Sequence, residues 1–444
     1  MEVNKFYFYP VSVFIALFIY YLLFSSGLIT PDYSFGDPRL CIEIIEYQIG
    51  NNGALIKYPF SCDQNFYYSG FENFSEVFKE TYNYQSRPLF IFGGFFLHTI
   101  VDSIINLFNL NFEYTTQLST FLYQLLIVNA ITYLLYKSFC EKFKFSNFDY
   151  LALLIFIMLN PIYKWGIFVP SHQSATLLLI AFFIFFSSKE DLVIDHKVAL
   201  LFGLFFLFHR GFLISYLALV LFKNLKRLTI GETYVKNSYL LLYFLLPNII
   251  YESFIRFILQ RSTYDANTEY WGQFIWLFDF IRGKVRYVSE WHCVTMPENF
   301  ICYINDFKRM VFYIFTPVIV VLMFYLANLL IGKNRKYTLL YETLFITIAL
   351  FSFWSLIGWY PPVRFNFYSF GHFVTLLFFI LFIHEKNFVN KVTILLASIT
   401  SYFFTPHWNI PEVGIEFEVF RSFSIYIAFF YIILKILQRR KEYS

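Results

Sequence analysis

The sequence predicts an all-α polytopic membrane protein with about twelve transmembrane helices, and three observations lead there. Of its 444 residues, 58% are hydrophobic and only 14% charged, against roughly 25% charged in soluble domains. No polar stretch exceeds about 60 residues, too short for more than a marginal independently folded unit. Apolar runs alternate with short loops rich in Lys and Arg, which mark the cytoplasmic side. Residues 1–444 therefore read as a single transmembrane domain.

The first run, 8–29, has the ~20 residues needed to cross a bilayer. It lacks a small-residue cleavage site and reads as a retained signal anchor. Basic loops at 141–147, 223–227, 333–336 and 385–391, with the tail at 437–444, are assigned to the cytoplasm. Residues 31–87 carry eight acids against four bases, so the first loop faces outward and the N-terminus lies inside.

The segment 88–109 is long enough to be a second crossing, but counting it as one would put the basic loop 141–147 outside. Its pattern offers another solution. On a helical projection Gly94, His98, Thr99, Asp102, Ser103 and Asn106 form a polar stripe, with Phe95, Phe96, Ile100, Ile104, Ile105 and Phe108 opposite. A helix of this kind lies in the membrane interface. It belongs to a first outer loop at 30–116.

With that assignment the remaining spans alternate: 117–139, 149–163, 172–187, 197–208, 211–222, 237–259, 308–331, 339–360, 367–384, 391–405 and 421–437. Both termini are then cytoplasmic. The pair 197–208 and 211–222 is short, since twelve residues rise only ~18 Å against a ~30 Å hydrocarbon core. Either the tip at 209–211 sits within the membrane or the pair is one long helix. The sunken tip is preferred, because a lone span would place 188–197 or the basic 223–227 outside. A second long outer loop spans 260–307; its aromatic stretch 269–293, with Arg282, Lys284 and Arg286, reads as another interfacial helix or as an aromatic anchor.

Cys41 and Cys62 fall in the first outer loop, Cys293 and Cys302 in the second, and Cys140 on the cytoplasmic side. Outward pairs and an inward singleton suit an oxidising exterior and a reducing interior. Whether the pairs form disulfides stays open. Asn73-Phe74-Ser75 is a glycosylation sequon that matters only in a secretory pathway.

Four stretches resemble polyprenyl-phosphate-sugar-dependent glycosyltransferases of the GT-C fold: QSRPLFIFGGFF (85–96), LNPIYKWGIFVPSHQSATLLLIAFF (159–183), FLFHRGFLI (206–214) and PPVRFNFYSFGH (361–372). They correspond to a juxtamembrane "Pro-Leu" helix, a second outer loop with its following span, a hairpin tip, and a late Arg-aromatic segment. The resemblance covers the plan of residues 1–230 and scattered motifs beyond. It implies an integral enzyme moving a sugar, with inversion, from a polyprenyl-phosphate donor to an acceptor hydroxyl at the outer, periplasmic or lumenal, face. The acceptor, whether glycan, lipid or protein, is not specified, and the expected location is a bacterial inner membrane.

Such a transfer needs a base for the acceptor proton, cations for the departing phosphate, and a site at the membrane surface. The resemblance makes Asp37 the base, held in a turn by Gly36 and Pro38; Asp32 and Asp63 are further acids of the same loop. Arg210 and Arg364 are the phosphate candidates, because an arginine deep in a membrane protein is costly unless it serves a partner and its fork suits phosphate oxygens. Snorkelling to headgroups is the plain alternative for Arg364. Arg87, before Pro88, suits positioning of the loop. His172 stands where the family often carries a carboxylate, which weighs against a metal there, and Ser171 or Ser174 would also explain the position as a helix cap. His98 and Asp102, four apart on one face, could pair.

No cofactor is expected, and a divalent metal would lack a clear ligand set. Gly-rich phosphate loops, Ser-His-Asp order and nucleic-acid motifs are missing from the sequence. Two rival classes remain: an O-antigen-type polysaccharide polymerase, leaning on the basic residues 282–286, and a polytopic transporter, for which inverted repeats and broken helices would be expected.

Overall fold

Hydrophobic burial and backbone satisfaction together dictate helices wherever the chain is apolar, and the computed structural model is built that way. It describes residues 8–25, 42–49, 54–61, 64–79, 85, 87–110, 112, 114–160, 163–168, 170, 175–189, 192–227, 238–261, 315–329, 337, 339–356, 362–403 and 415–443. The helices are α1 (Phe8–Ser25), α2 (Gln64–Glu72), α3 (Pro88–Leu107), α4 (Thr115–Cys140), α5 (Asn147–Leu159), α6 (Tyr163–Gly166), α7 (Thr176–Ser188), α8 (His196–Phe206), α9 (Phe212–Arg227) and α10 (Ser238–Ser253). There follow α11 (Phe315–Leu329), α12 (Leu340–Leu356), α13 (Pro362–His384), α14 (Phe388–Phe403) and α15 (Ile415–Tyr443).

Each expected span overlaps one of these helices. By length and composition, four helices among the described residues are long and apolar enough to cross a membrane: α3, α4, α10 with its extension to Ile258, and α15. The protein is therefore a helical one of membrane character. That α3 meets the requirement means length alone does not separate it from a crossing; its exposed residues include Phe92, Phe96, Ile100, Ile104 and Leu107 as well as Thr99, Ser103 and Asn106. The stretch 42–61 departs from the purely helical plan. Strands β1 (Ile42–Ile49) and β2 (Ala54–Ser61) pair antiparallel, with Ile42 opposite Ser61 and Ile49 opposite Ala54.

The chain falls into two compact units. One comprises Tyr9–Ile131 and Trp165–Glu269; the other comprises Met1–Phe8, Thr132–Lys164 and Tyr270–Ser444.

In the first unit, small residues let helices approach closely. A Cβ on Gly203 of α8 would lie 2.1 Å from the Phe244 carbonyl oxygen of α10, and one on Gly94 of α3 would lie 2.2 Å from the Phe71 ring of α2. Aromatic rings fill the space between: Phe71, Phe90 and Tyr123 meet one another at centroid distances of 5.4–6.1 Å, and the Tyr123 hydroxyl donates to the Phe90 carbonyl at 2.9 Å. Such edge and tilted pairs add to the burial of large rings. Ser215 of α9 donates to the Leu179 carbonyl of α7 at 2.8 Å, a side chain to backbone bond typical of membrane helix pairs. Asn73 of the sequon accepts from Ser75 through both the backbone N–H and the hydroxyl, starting a 3₁₀ turn at Phe74–Phe78.

In the second unit, α5 begins at a capping box of Ser146 and Asp149, which satisfies N–H groups that a helix start leaves open. Asp149 also receives Lys391 of α14 at 2.6 Å. Phe156 packs on Phe378, Phe379 and Phe382 of α13. Glu385 accepts from Tyr431 and Lys435 of α15 at 3.0 and 2.5 Å, and Tyr431 also reaches Asn328 of α11 at 3.0 Å. The buried carboxylates Asp149 and Glu385 are thus paired and hydrogen-bonded, as a low-dielectric interior demands.

Candidate functional site: a cationic cluster at the α8–α9 tip

The stretch between α8 and α9 is a tight reversal. Its backbone closes through Leu207 to Leu204, Phe208 and His209 to Phe205, then Phe212 to His209 and Leu213 to Arg210. The break into two helices at this tip agrees with the hairpin expected from the sequence and removes the single long helix. His209, 3% exposed, folds its Nδ1 back to accept the Gly211 N–H at 3.0 Å. Arg87 lies near enough for its charge to act on this ring. A neutral ring is what that accepting Nδ1 requires. Gly211 leaves room for Leu179, whose Cδ1 would lie 2.5 Å from a Cβ there.

The start of α3 docks on this tip. Pro88 opens the helix after Arg87, where a missing N–H costs nothing. The next residue, Leu89, donates its N–H to the Leu207 carbonyl at 3.2 Å. Phe90 and Phe208 meet edge-on at 5.4 Å. The "Pro-Leu" stretch and the hairpin tip, more than a hundred residues apart, are therefore neighbours.

A third stretch, from α10, completes the cluster. Arg210 donates through Nη1 to Asn248 at 3.0 Å, and its Nη2 lies 3.8 Å from Oε1 of Glu252. Its Cζ sits 4.6 Å above the Phe206 ring, a favourable placement for a cation. The other oxygen of Glu252 is 3.8 Å from Nε of Arg256. Tyr251 donates to the Gln85 carbonyl at 2.8 Å, tying α10 to the residues before α3. Pro247 inside α10 removes one helical hydrogen bond just before Asn248, and Phe254–Ile258 continues as a π-helical turn carrying Arg256. The result is three arginines, a neutral histidine and one glutamate around the tip.

Of the residues singled out in the sequence, Arg87 and Arg210 are brought together here. Arg364 lies in the first turn of α13, in the other unit. Asp32, Asp37, Asp63 and His172 lie outside the described residues, as do Cys41, Cys62, Cys293, Cys302 and the stretch 269–293. His98 of α3 approaches Ser119 of α4 at 3.5 Å, while Asp102 accepts from Asn106 at 3.0 Å; no direct pairing of His98 with Asp102 is seen. Among the described residues there is no group of three or more His, Cys, Asp and Glu that could hold a metal.

The sequence reading missed Asn248, Glu252 and Arg256. A usable signal was present, because Pro-Asn-x-x-Tyr-Glu-x-x-x-Arg puts polar residues on successive turns of an otherwise apolar span. It also missed Lys164, which is 1% exposed and donates to the Tyr402 carbonyl near the end of α14 at 2.9 Å. Asn160, beside it in sequence, contacts Gly371, His372 and Thr375 of α13. Burial holds the Lys164 ammonium down at about 7, and its bond to a helix-terminal carbonyl complements the negative end of α14.

The chain matches no family model, no curated protein and no solved structure.

Proposed function

We propose that this chain is a membrane glycosyltransferase that moves a sugar from a polyprenyl-phosphate donor to an acceptor hydroxyl at the outer membrane face. The observation that supports it is the docking of Arg87-Pro88-Leu89 on His209-Arg210-Gly211 through the 3.2 Å Leu89–Leu207 bond. Two arginines gather at one place, and that is the charge a departing phosphate needs.

In this reading the acceptor oxygen attacks the anomeric carbon from the face opposite the phosphate. The new C–O bond forms as the bond to the phosphate oxygen breaks, and the electron pair leaves on the prenyl phosphate. Asp37 takes the acceptor's proton. Arg210 meets the phosphate with its fork, oriented by Asn248, while Arg87 supports it from the start of α3. The apolar faces around the site keep the prenyl tail in hydrocarbon. The attack inverts the anomeric centre.

The test is transfer from a panel of radiolabelled prenyl-phosphate sugars by purified protein. Wild type should label an acceptor, Asp37→Asn should abolish labelling and Arg210→Ala should lower it by about 10²–10³-fold, with insertion into the membrane intact. Near-normal turnover by both variants, or no transfer by wild type from any donor of the panel, overturns the reading.

A further inference from the structure

We infer that Glu252 is a built-in counter-ion occupying a seat for a phosphate monoester between Arg210 and Arg256. The inference deepens the proposed function and rests on that reading for its choice of ligand. Its geometry stands separately.

Glu252 reaches two guanidinium groups at once, each at 3.8 Å. Charge-assisted hydrogen bonds between such groups are much shorter, about 2.7–2.9 Å. Both contacts are therefore ion pairs without a hydrogen bond. The Oε2 atom of Glu252 is buried and has no hydrogen-bond partner. A carboxylate oxygen in that position normally finds a donor, so Glu252 neutralises the arginines without being well bound by them.

The reason lies in the helix. Glu252 and Arg256 sit four residues apart on one element, and Arg210 is held from the other side by Asn248 and Phe206. The carboxylate spans the gap between the two cations with its two oxygens and closes on neither. A phosphate monoester brings three terminal oxygens and up to about two negative charges. It can engage two forks at hydrogen-bond length. Arg256, with its side chain 53% exposed, stands on the solvent-accessible side of the pair. The π-helical turn that carries Arg256 ends at Ile258, and Gln260 just beyond it has a φ of 50°; π turns of this kind recur at functional sites. Arg87, His209 and Tyr251 are the other titratable groups around the tip. Charge repulsion between Glu252 and an arriving phosphate makes the two compete, so an empty seat keeps its arginines neutralised and a filled one expels the carboxylate.

The experiment measures binding of inorganic phosphate and of farnesyl phosphate to the purified full chain in detergent. Glu252→Gln keeps the shape and removes the competing charge, so both probes should bind at least about fivefold tighter. Arg256→Gln should weaken both by a similar factor. Tightening with farnesyl phosphate alone marks the natural occupant as a lipid phosphate, whereas tightening with both marks a seat for the phosphate group itself. Equal or weaker binding by Glu252→Gln, with the melting temperature and elution profile of wild type, overturns the inference. If Glu252→Gln does not fold, unchanged binding by Arg256→Gln overturns it instead. Tightened phosphate binding without sugar transfer by wild type would sink the proposed function and leave the seat standing; Arg210-dependent transfer without tightening would do the reverse.

Discussion

The backbone N–H of Leu89 donates to the carbonyl of Leu207 at 3.2 Å, and this bond joins the first turn of α3 to the α8–α9 tip. It brings the charges of Arg87 and Arg210 into one neighbourhood, although 123 positions separate them in sequence. Helix starts leave N–H groups open and helix ends leave carbonyls open. Here an open donor of α3 meets an open acceptor beyond the end of α8.

Arg210 should matter through its fork and not only its charge. Arg210→Ala is expected to lower transfer by about 10²–10³-fold, the usual loss when a donor to developing negative charge is removed. Arg210→Lys keeps the charge but gives up the planar donors, and its rate should fall between the two. Equal rates for Lys and Arg in a prenyl-phosphate assay would remove bidentate recognition from the site.

Gly203 is required by the closeness of α8 and α10. Its missing Cβ would stand 2.1 Å from the Phe244 carbonyl oxygen, which neither backbone can yield cheaply. Gly203→Ala should therefore destabilise the protein by about 1–3 kcal/mol, seen as a lower melting temperature in detergent. An unchanged melting temperature would show that the helices separate without cost.

Asp149 and Lys391 should be coupled. The 2.6 Å pair is nearly buried, and Asp149 also closes the Ser146 cap. Asp149→Asn leaves the Lys391 ammonium against the Phe382 ring without its carboxylate, at a cost of about 3 kcal/mol. Adding Lys391→Met should recover part of it. Melting curves of the two single variants and the double variant measure the coupling, and simple additivity would count against it.

Lys164 should make stability depend on pH. Folding lowers its pKa from 10.5 to about 7, so between those values the unfolded chain binds more protons than the folded one. Stability therefore rises with pH from about 7 to about 10, and the full cost of the buried charge is present below that window. His372, Asn160, Tyr163 and Tyr402 surround this part of the chain. Lys164→Met should start more stable at about pH 6.5 and show a flatter profile. A wild-type melting temperature that falls across the window would contradict the assignment.

Much of the helix plan was legible in sequence because a bilayer demands runs of apolar residues, and such runs are visible without any neighbour. The reversal at 209–211 was legible for a related reason: His209-Arg210-Gly211 interrupts hydrophobicity and supplies a glycine where Leu179 packs close. The β1–β2 pairing went unread although Asn52-Gly53 between two apolar runs is a hairpin turn signature, because this stretch was read for its charge. Lys164 was not legible, because its burial against Tyr402 depends on residues more than two hundred positions away. Of the candidate site, Arg87 and Arg210 were read correctly as notable cations, yet Glu252 and Arg256 passed as ordinary ends of a span.

By itself the sequence determined that this chain is helical and of membrane character, since composition and hydrophobic period suffice for that. Tertiary structure alone decided which charges share a place: Arg87 and Arg210 at the hairpin tip, with Glu252 between Arg210 and Arg256. The physical reason is range. Helix formation is written in spacings of three and four residues, whereas a site is written in contacts between helices whose order in space no local pattern records.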